Sequence, residues 1–250
     1  MDIVLKENER IDDLEYKGLK IIQNSKGLCF GIDGVLLANF AKNLRGNSDV
    51  IDLGTCTAIM PILLSEKSKA KKIVGVEIQS DVADMAQRSV KLNNLENKIK
   101  IINENILNLK NIYQKNSFDA IITNPPYKKI NTGIINNDDK KLISRHEITA
   151  SLEDFIDISA YLLKDLGELY MIHRPERLVD ILYDLRVKKL EPKNIRFIFS
   201  NEKKEPKLVL IKAVKNGKSF LKVDRNLYVY DNDGNYTNEI LEIYEKEKNN

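Results

Sequence analysis

At 250 residues, 42% hydrophobic and 31% charged, the chain is long enough to bury a sizeable core, and it has neither a disordered nor a membrane-spanning composition. A net charge of +3 permits a nucleic-acid partner without requiring one. Cys29 and Cys56 make no CxxC or framework pattern and His146 and His173 are too few for a His-based metal site, so the expectation is a cytoplasmic protein with reduced thiols and no metal. Residues 1–20 mix acids and bases, unlike a signal peptide, and no apolar run approaches the roughly 20 residues of a membrane-spanning helix.

Residues 1–26 are polar and mixed, with a short strand expected near Leu19–Gln23. Asp33 precedes the apolar run Val35-Leu36-Leu37-Ala38 and is placed to cap a helix there. From residue 49 strands and helices alternate. Val50-Ile51-Asp52-Leu53 is a buried strand entering a turn at Gly54, and a helix follows from Ile59 with Pro61 in its first turn. Lys72 to Ile78 is a second strand, ending on Glu77. A helix starting at Asp81 places Val82, Met85, Ala86 and Val90 on one face. Ile99 to Ile102 and Phe118 to Thr123 are further strands.

After the strand at 118–123 comes Asn124-Pro125-Pro126-Tyr127. Two prolines forbid both helix and ladder, leaving a stiff turn in which an amide oxygen and a carbonyl offer two adjacent acceptors beside a ring. Such a turn suits a planar group bearing NH2. Residues 128–147 form a long polar loop, and Ser151 to Leu163 resumes as an amphipathic helix. Gly167 to Ile172 is a strand, His173-Arg174 leads to a helix opened by Pro175, and the runs at 195–199 and 208–214 are too closely joined for a crossover, so they pair antiparallel. A hairpin around Asp231-Asn232-Asp233-Gly234 and a charged helix end the chain. No composition break divides it: residues 1–48 read as a cap segment, 49–215 as the core and 216–250 as a terminal hairpin and helix of one domain.

Alternation of this kind calls for a mostly parallel sheet with helices on both faces, and such sheets bind ligands at the carboxyl ends of their strands. There this chain places Asp52 to Thr55, then Glu77, then Glu104-Asn105, then Asn124 to Tyr127. Glu77 stands a little over twenty residues past the glycine turn, where an acid takes ribose hydroxyls in dinucleotide folds.

On these residues the chain resembles the class I S-adenosylmethionine-dependent methyltransferases of the Asn-Pro-Pro-Tyr amino-methylating kind. Phe30-Gly31-Ile32-Asp33, Arg145-His146-Glu147, His173-Arg174-Pro175-Glu176-Arg177-Leu178 and Leu227-Tyr228-Val229-Tyr230 extend the likeness to the bacterial tRNA1(Val) adenine-N6-methyltransferase family. The resemblance implies a Rossmann-like α/β fold with a mostly parallel seven-stranded sheet and an antiparallel edge strand. It implies S-adenosylmethionine bound by Phe30, Asp33, Asp52, Gly54, Thr55, Cys56, Glu77, Ile78, Asn105 and Asn124. Asn124, Pro125, Pro126 and Tyr127 would serve catalysis, and Lys128, Lys129, Arg145, His146, Arg174 and Arg177 would meet RNA. A monomer acting on tRNA is the expected whole; guanine-N2 methylation of ribosomal RNA, N5-glutamine methylation and a non-catalytic RNA-binding relative are the alternatives. The family turn reads Asp-x-Gly-x-Gly-x-Gly, whereas Cys56 and Ala58 replace its last two glycines here. Cys56 is also a candidate redox-sensitive thiol.

Overall fold

The computed structural model describes residues 3–27, 31–127 and 150–246. Two strands, β1 (Glu9–Asp13) and β2 (Lys20–Asn24), form an antiparallel hairpin outside the main sheet. The main sheet joins β3 (Asp49–Leu53), β4 (Lys72–Glu77), β5 (Ile99–Asn103), β6 (Phe118–Thr123), β7 (Leu163–His173), β8 (Leu190–Phe199) and β9 (Pro206–Lys215) in the order β8-β9-β7-β6-β3-β4-β5. Two-residue strands β10 (Lys222–Val223) and β11 (Leu227–Tyr228) add to the free side of β8. The run from β5 through β4, β3 and β6 to β7 is parallel throughout. As expected, β8 and β9 pair antiparallel, but β9 lies between β7 and β8, inside the sheet.

The inner parallel strands β3 and β6 and the second half of β7 are buried on both sides because their residues alternate between two apolar layers. Val50, Ala120, Ile122, Tyr170 and Ile172 face helices α1 (Ile32–Phe40), α2 (Ile59–Lys67) and α3 (Ser80–Leu92), together with the hairpin residues Leu14 and Ile21 and the C-terminal helix α7 (Asn238–Ile243). Ile51, Leu53, Ile121, Leu169 and Met171 face the short α4 (Leu109–Ile112), α5 (Leu152–Leu162) and α6 (Leu178–Val187). Ser151 caps α5 in a reciprocal capping box with Asp154. Pro175 opens a 3-10 turn that runs into α6, where its missing N–H costs no bond. The hairpin expected near Gly234 is present as an antiparallel bridge between Tyr230 and Tyr236.

Strand order reverses beside β3, which has β4 on one side and β6 on the other. The turns that leave β3 and β6 therefore flank the crevice where a sheet of this kind takes its ligand. Thr123 ties the two strand ends together by donating its hydroxyl to the Leu53 carbonyl, 3.0 Å away and buried.

Candidate active site

The turn after β3 is built in the left-handed region. Gly54 has φ +76°, Cys56 φ +51° and Ala58 φ +70°. Two L-residues thus hold the backbone shape that glycine adopts freely, so the turn keeps its path despite the lost glycines. Glu77, at the end of β4 and only 6% exposed, fastens it: one carboxylate oxygen accepts the Cys56 N–H at 3.0 Å, the other the Gln79 N–H at 3.0 Å. Gly75 makes room behind, since a Cβ there would stand 2.8 Å from the Thr55 hydroxyl.

Asp52 is fully buried, and among the described residues neither carboxylate oxygen has a hydrogen-bond partner. That burial pushes its pKa up to about 7; the Thr55 hydroxyl beside it opposes the rise and the Glu77 charge adds to it. The Cys56 thiol is pushed up to about 12 by burial and by Glu77, which keeps it protonated. Farther along the edge, Ile78 is 43% exposed, and Leu107, beyond β5, is 42% exposed. Asn105 caps the 3-10 turn Ile106–Asn108 by accepting the Leu107 N–H at 2.9 Å.

On the other side of the crevice, Asn124 to Tyr127 follow β6. The Asn124 amide nitrogen donates to Asp33 Oδ2 at 2.9 Å, and the Tyr127 hydroxyl donates to the same oxygen at 3.0 Å. The Asn124 amide oxygen is left buried with no partner among the described residues. Asp33 is not the cap of α1: Gly31 holds that position, and Asp33 sits in the first turn with Oδ1 accepting the Gly34 N–H at 3.0 Å. The Tyr127 ring meets His173 edge-on, 5.2 Å between centroids, and the Arg174 guanidinium lies 5.2 Å from its centre. Burial, then the Asp33 charge, raises the Tyr127 phenol well above its usual range, so its hydroxyl stays a donor. His173 is fully buried, without a hydrogen-bond partner among the described residues, and burial holds it below its ordinary value and neutral.

Asp33, Asp52, Gly54, Thr55, Cys56, Glu77 and Asn124 to Tyr127 all stand at the switch point, with Ile78 and Asn105 farther along the same edge. Arg174 is exposed beside Tyr127, while Arg177 is paired with Asp180 at 2.8 Å. Phe30, Lys128, Lys129, Arg145 and His146 lie outside the described residues. The link from Asp33 to Asn124 was beyond sequence reading, because the two are 91 positions apart with no local pattern joining them.

A family model described as the methyltransferase small domain matches residues 32–182, from the start of α1 into α6. The chain belongs to that family. This methyltransferase is 28% identical over 204 residues to a Porphyromonas gingivalis protein named tRNA1(Val) (adenine(37)-N6)-methyltransferase, covering 80% of this chain and 79% of that one. Its fold is similar to that of a predicted O-methyltransferase from Agrobacterium tumefaciens, with a TM-score of 0.68 at 18% identity over 85% of this chain and 95% of that one. Similar, too, is geranyl diphosphate C-methyltransferase from Streptomyces coelicolor, solved with S-adenosyl-L-homocysteine, with a TM-score of 0.54 at 13% identity over 73% and 78% of the two chains. At such identities the two structures speak for the fold alone.

Proposed function

We propose that this methyltransferase uses S-adenosylmethionine to methylate the exocyclic N6 of an adenine in tRNA, the purine just 3′ of the anticodon. One observation carries the acceptor half of this reading: the buried, unpartnered amide oxygen of Asn124 at the switch point. A buried acceptor without a donor is costly, and a ligand N–H satisfies it. With the neighbouring Pro125 carbonyl it offers two acceptors to the two hydrogens of an amino group. Accepting both favours a pyramidal nitrogen whose lone pair is no longer spread into the ring. Tyr127, held by Asp33, His173 and Arg174, would present its ring to the flat base, so that catalysis is chiefly positioning.

The residues on the β3 side fit the donor. Glu77 spends one acceptor site of each oxygen on a backbone N–H, its Oε1 also accepts the Gln79 side-chain amide at 3.5 Å, and its Oε2 keeps a site for a ribose hydroxyl. The exposed Ile78 and Leu107 side chains suit the faces of an adenine ring, and Asn105 stands at the same edge. Asp52 supplies a carboxylate that a cationic ligand would ionise. S-adenosylmethionine, when bound, supplies an electrophilic methyl group on a sulfonium. In tRNA an anticodon-loop base is unstacked more cheaply than one in a duplex, and Arg174 is the described cation best placed for its phosphate. The protein would work as a cytoplasmic monomer, its hairpin, core and tail forming one unit.

The test is Asn124→Ala. Methyl transfer to an anticodon stem-loop is expected to fall at least about a hundredfold, as on losing a donor or acceptor used in the transition state. Affinity for S-adenosylmethionine, measured by calorimetry, is expected to hold within about twofold. Turnover comparable with that of the unaltered protein would show that the amide is not the acceptor.

A further inference from the structure

The side-chain amide of asparagine has two nearly isosteric faces, one a donor and one an acceptor, and an active site that depends on one of them must hold the group against turning over. Here the holding group is identifiable. Asp33 Oδ2 receives the Asn124 amide nitrogen at 2.9 Å and the Tyr127 hydroxyl at 3.0 Å. An ionised carboxylate only accepts, so the amide nitrogen must face Asp33 and the amide oxygen must face away. The space for that carboxylate is itself built: a Cβ on Gly31 would come within 2.7 Å of Asp33 Oδ1, although the Gly31 backbone, at φ −101°, asks for no glycine on conformational grounds.

We propose that Asp33 is a positioning residue that fixes the Asn124 amide with its oxygen toward the substrate, and so makes the site select an amino group over a carbonyl oxygen. The inference rests on adenine being the base methylated and adds the origin of the selectivity. With Asp33 in place, a base carrying oxygen where adenine carries its amino group sets acceptor against acceptor in a buried place. With asparagine at 33, the neighbouring amide offers a donor as well as an acceptor, and Asn124 is free to turn over.

The experiment compares two anticodon stem-loop RNAs, one with adenosine and one with inosine 3′ of the anticodon. Their affinities are measured by filter binding with S-adenosylhomocysteine present, and turnover of the adenosine RNA is measured with S-adenosylmethionine. The unaltered protein is expected to prefer adenosine by about tenfold or more, the scale of a buried unsatisfied polar pair. In Asp33→Asn the preference should shrink to within about threefold and kcat should fall about tenfold or more. Gly31→Ala, which displaces the carboxylate without removing it, should move the preference in the same direction and guards against a folding defect in Asp33→Asn. A purely structural role for Asp33 in the first turn of α1 would lower the melting temperature and leave the preference alone, overturning the proposal. So would full discrimination and full kcat in both variants. Methylation of neither RNA by the unaltered protein would instead overturn the substrate reading itself.

Discussion

Replacing Cys56 with glycine is expected to stabilise the protein and tighten its hold on S-adenosylmethionine. Cys56 sits at φ +51° and Ala58 at φ +70°, in a region that costs an L-residue about 1–2 kcal/mol. Glycine removes that cost at position 56 but brings greater freedom to the unfolded chain, which offsets about 0.5–1 kcal/mol. Losing the part-buried side chain offsets some of the remainder, so the net gain is at most about 0.5–1 kcal/mol, or up to about 4 °C in melting temperature for a chain of this size. At position 58 the methyl group is fully buried, and losing it costs about 0.8 kcal/mol more, so Ala58→Gly should come out near neutral. Thermal unfolding followed by circular dichroism, with calorimetric titration of the cofactor, reads both effects. Cys56→Ala is the decisive control, because it removes the thiol and keeps the left-handed strain. If Cys56→Ala stabilises as much as Cys56→Gly, or if Cys56→Gly lowers the melting temperature, backbone strain is not what the cysteine costs.

Asp52, raised to about 7 in the folded protein from 3.8, holds a proton that the unfolded chain has already lost between those values. Its contribution to stability is therefore greatest below about pH 4 and declines as pH rises through 7, and Asp52→Asn should be more stabilising relative to the unaltered protein at pH 8 than at pH 5 in urea titrations. Glu77→Gln sets an amide N–H against one of two backbone donors, at Cys56 or Gln79. Calorimetry should show cofactor affinity reduced by about tenfold or more, on the scale of a charge-assisted hydrogen bond.

The parallel core was legible because strands buried on both faces read as apolar runs, as in Val50-Ile51 and Ala120-Ile121-Ile122, and helices between them show one apolar face. The hairpin strand β1 was not, since Glu9-Arg10-Ile11-Asp12-Asp13 has four charged residues in five and forms only against β2, whose Ile21 and Ile22 supply the burial. The place of β9 inside the sheet also escaped, because closeness in sequence told which strand it pairs with on one side and nothing about the other. In the site, strand ends ordered the motifs correctly along one edge. Asp33 was legible as a motif residue near a helix start, while its hold on Asn124 and Tyr127 arises only when α1 packs beside the end of β6. The turn after β3 differs again. Missing glycines suggested a changed cofactor loop, yet its hydrogen bonds to the Glu77 carboxylate and the Val76 carbonyl hold Cys56 and Ala58 in a glycine-like path.

The most direct test of the central claim is to incubate the protein with S-adenosylmethionine labelled in its methyl group and with total tRNA, then digest the RNA and identify the labelled nucleoside by mass spectrometry. Methylation of an adenine gripped by Asn124 requires N6-methyladenosine, mapped to the position 3′ of an anticodon and absent with Asn124→Ala. Label appearing in N2-methylguanosine, or in no nucleoside at all, would contradict it.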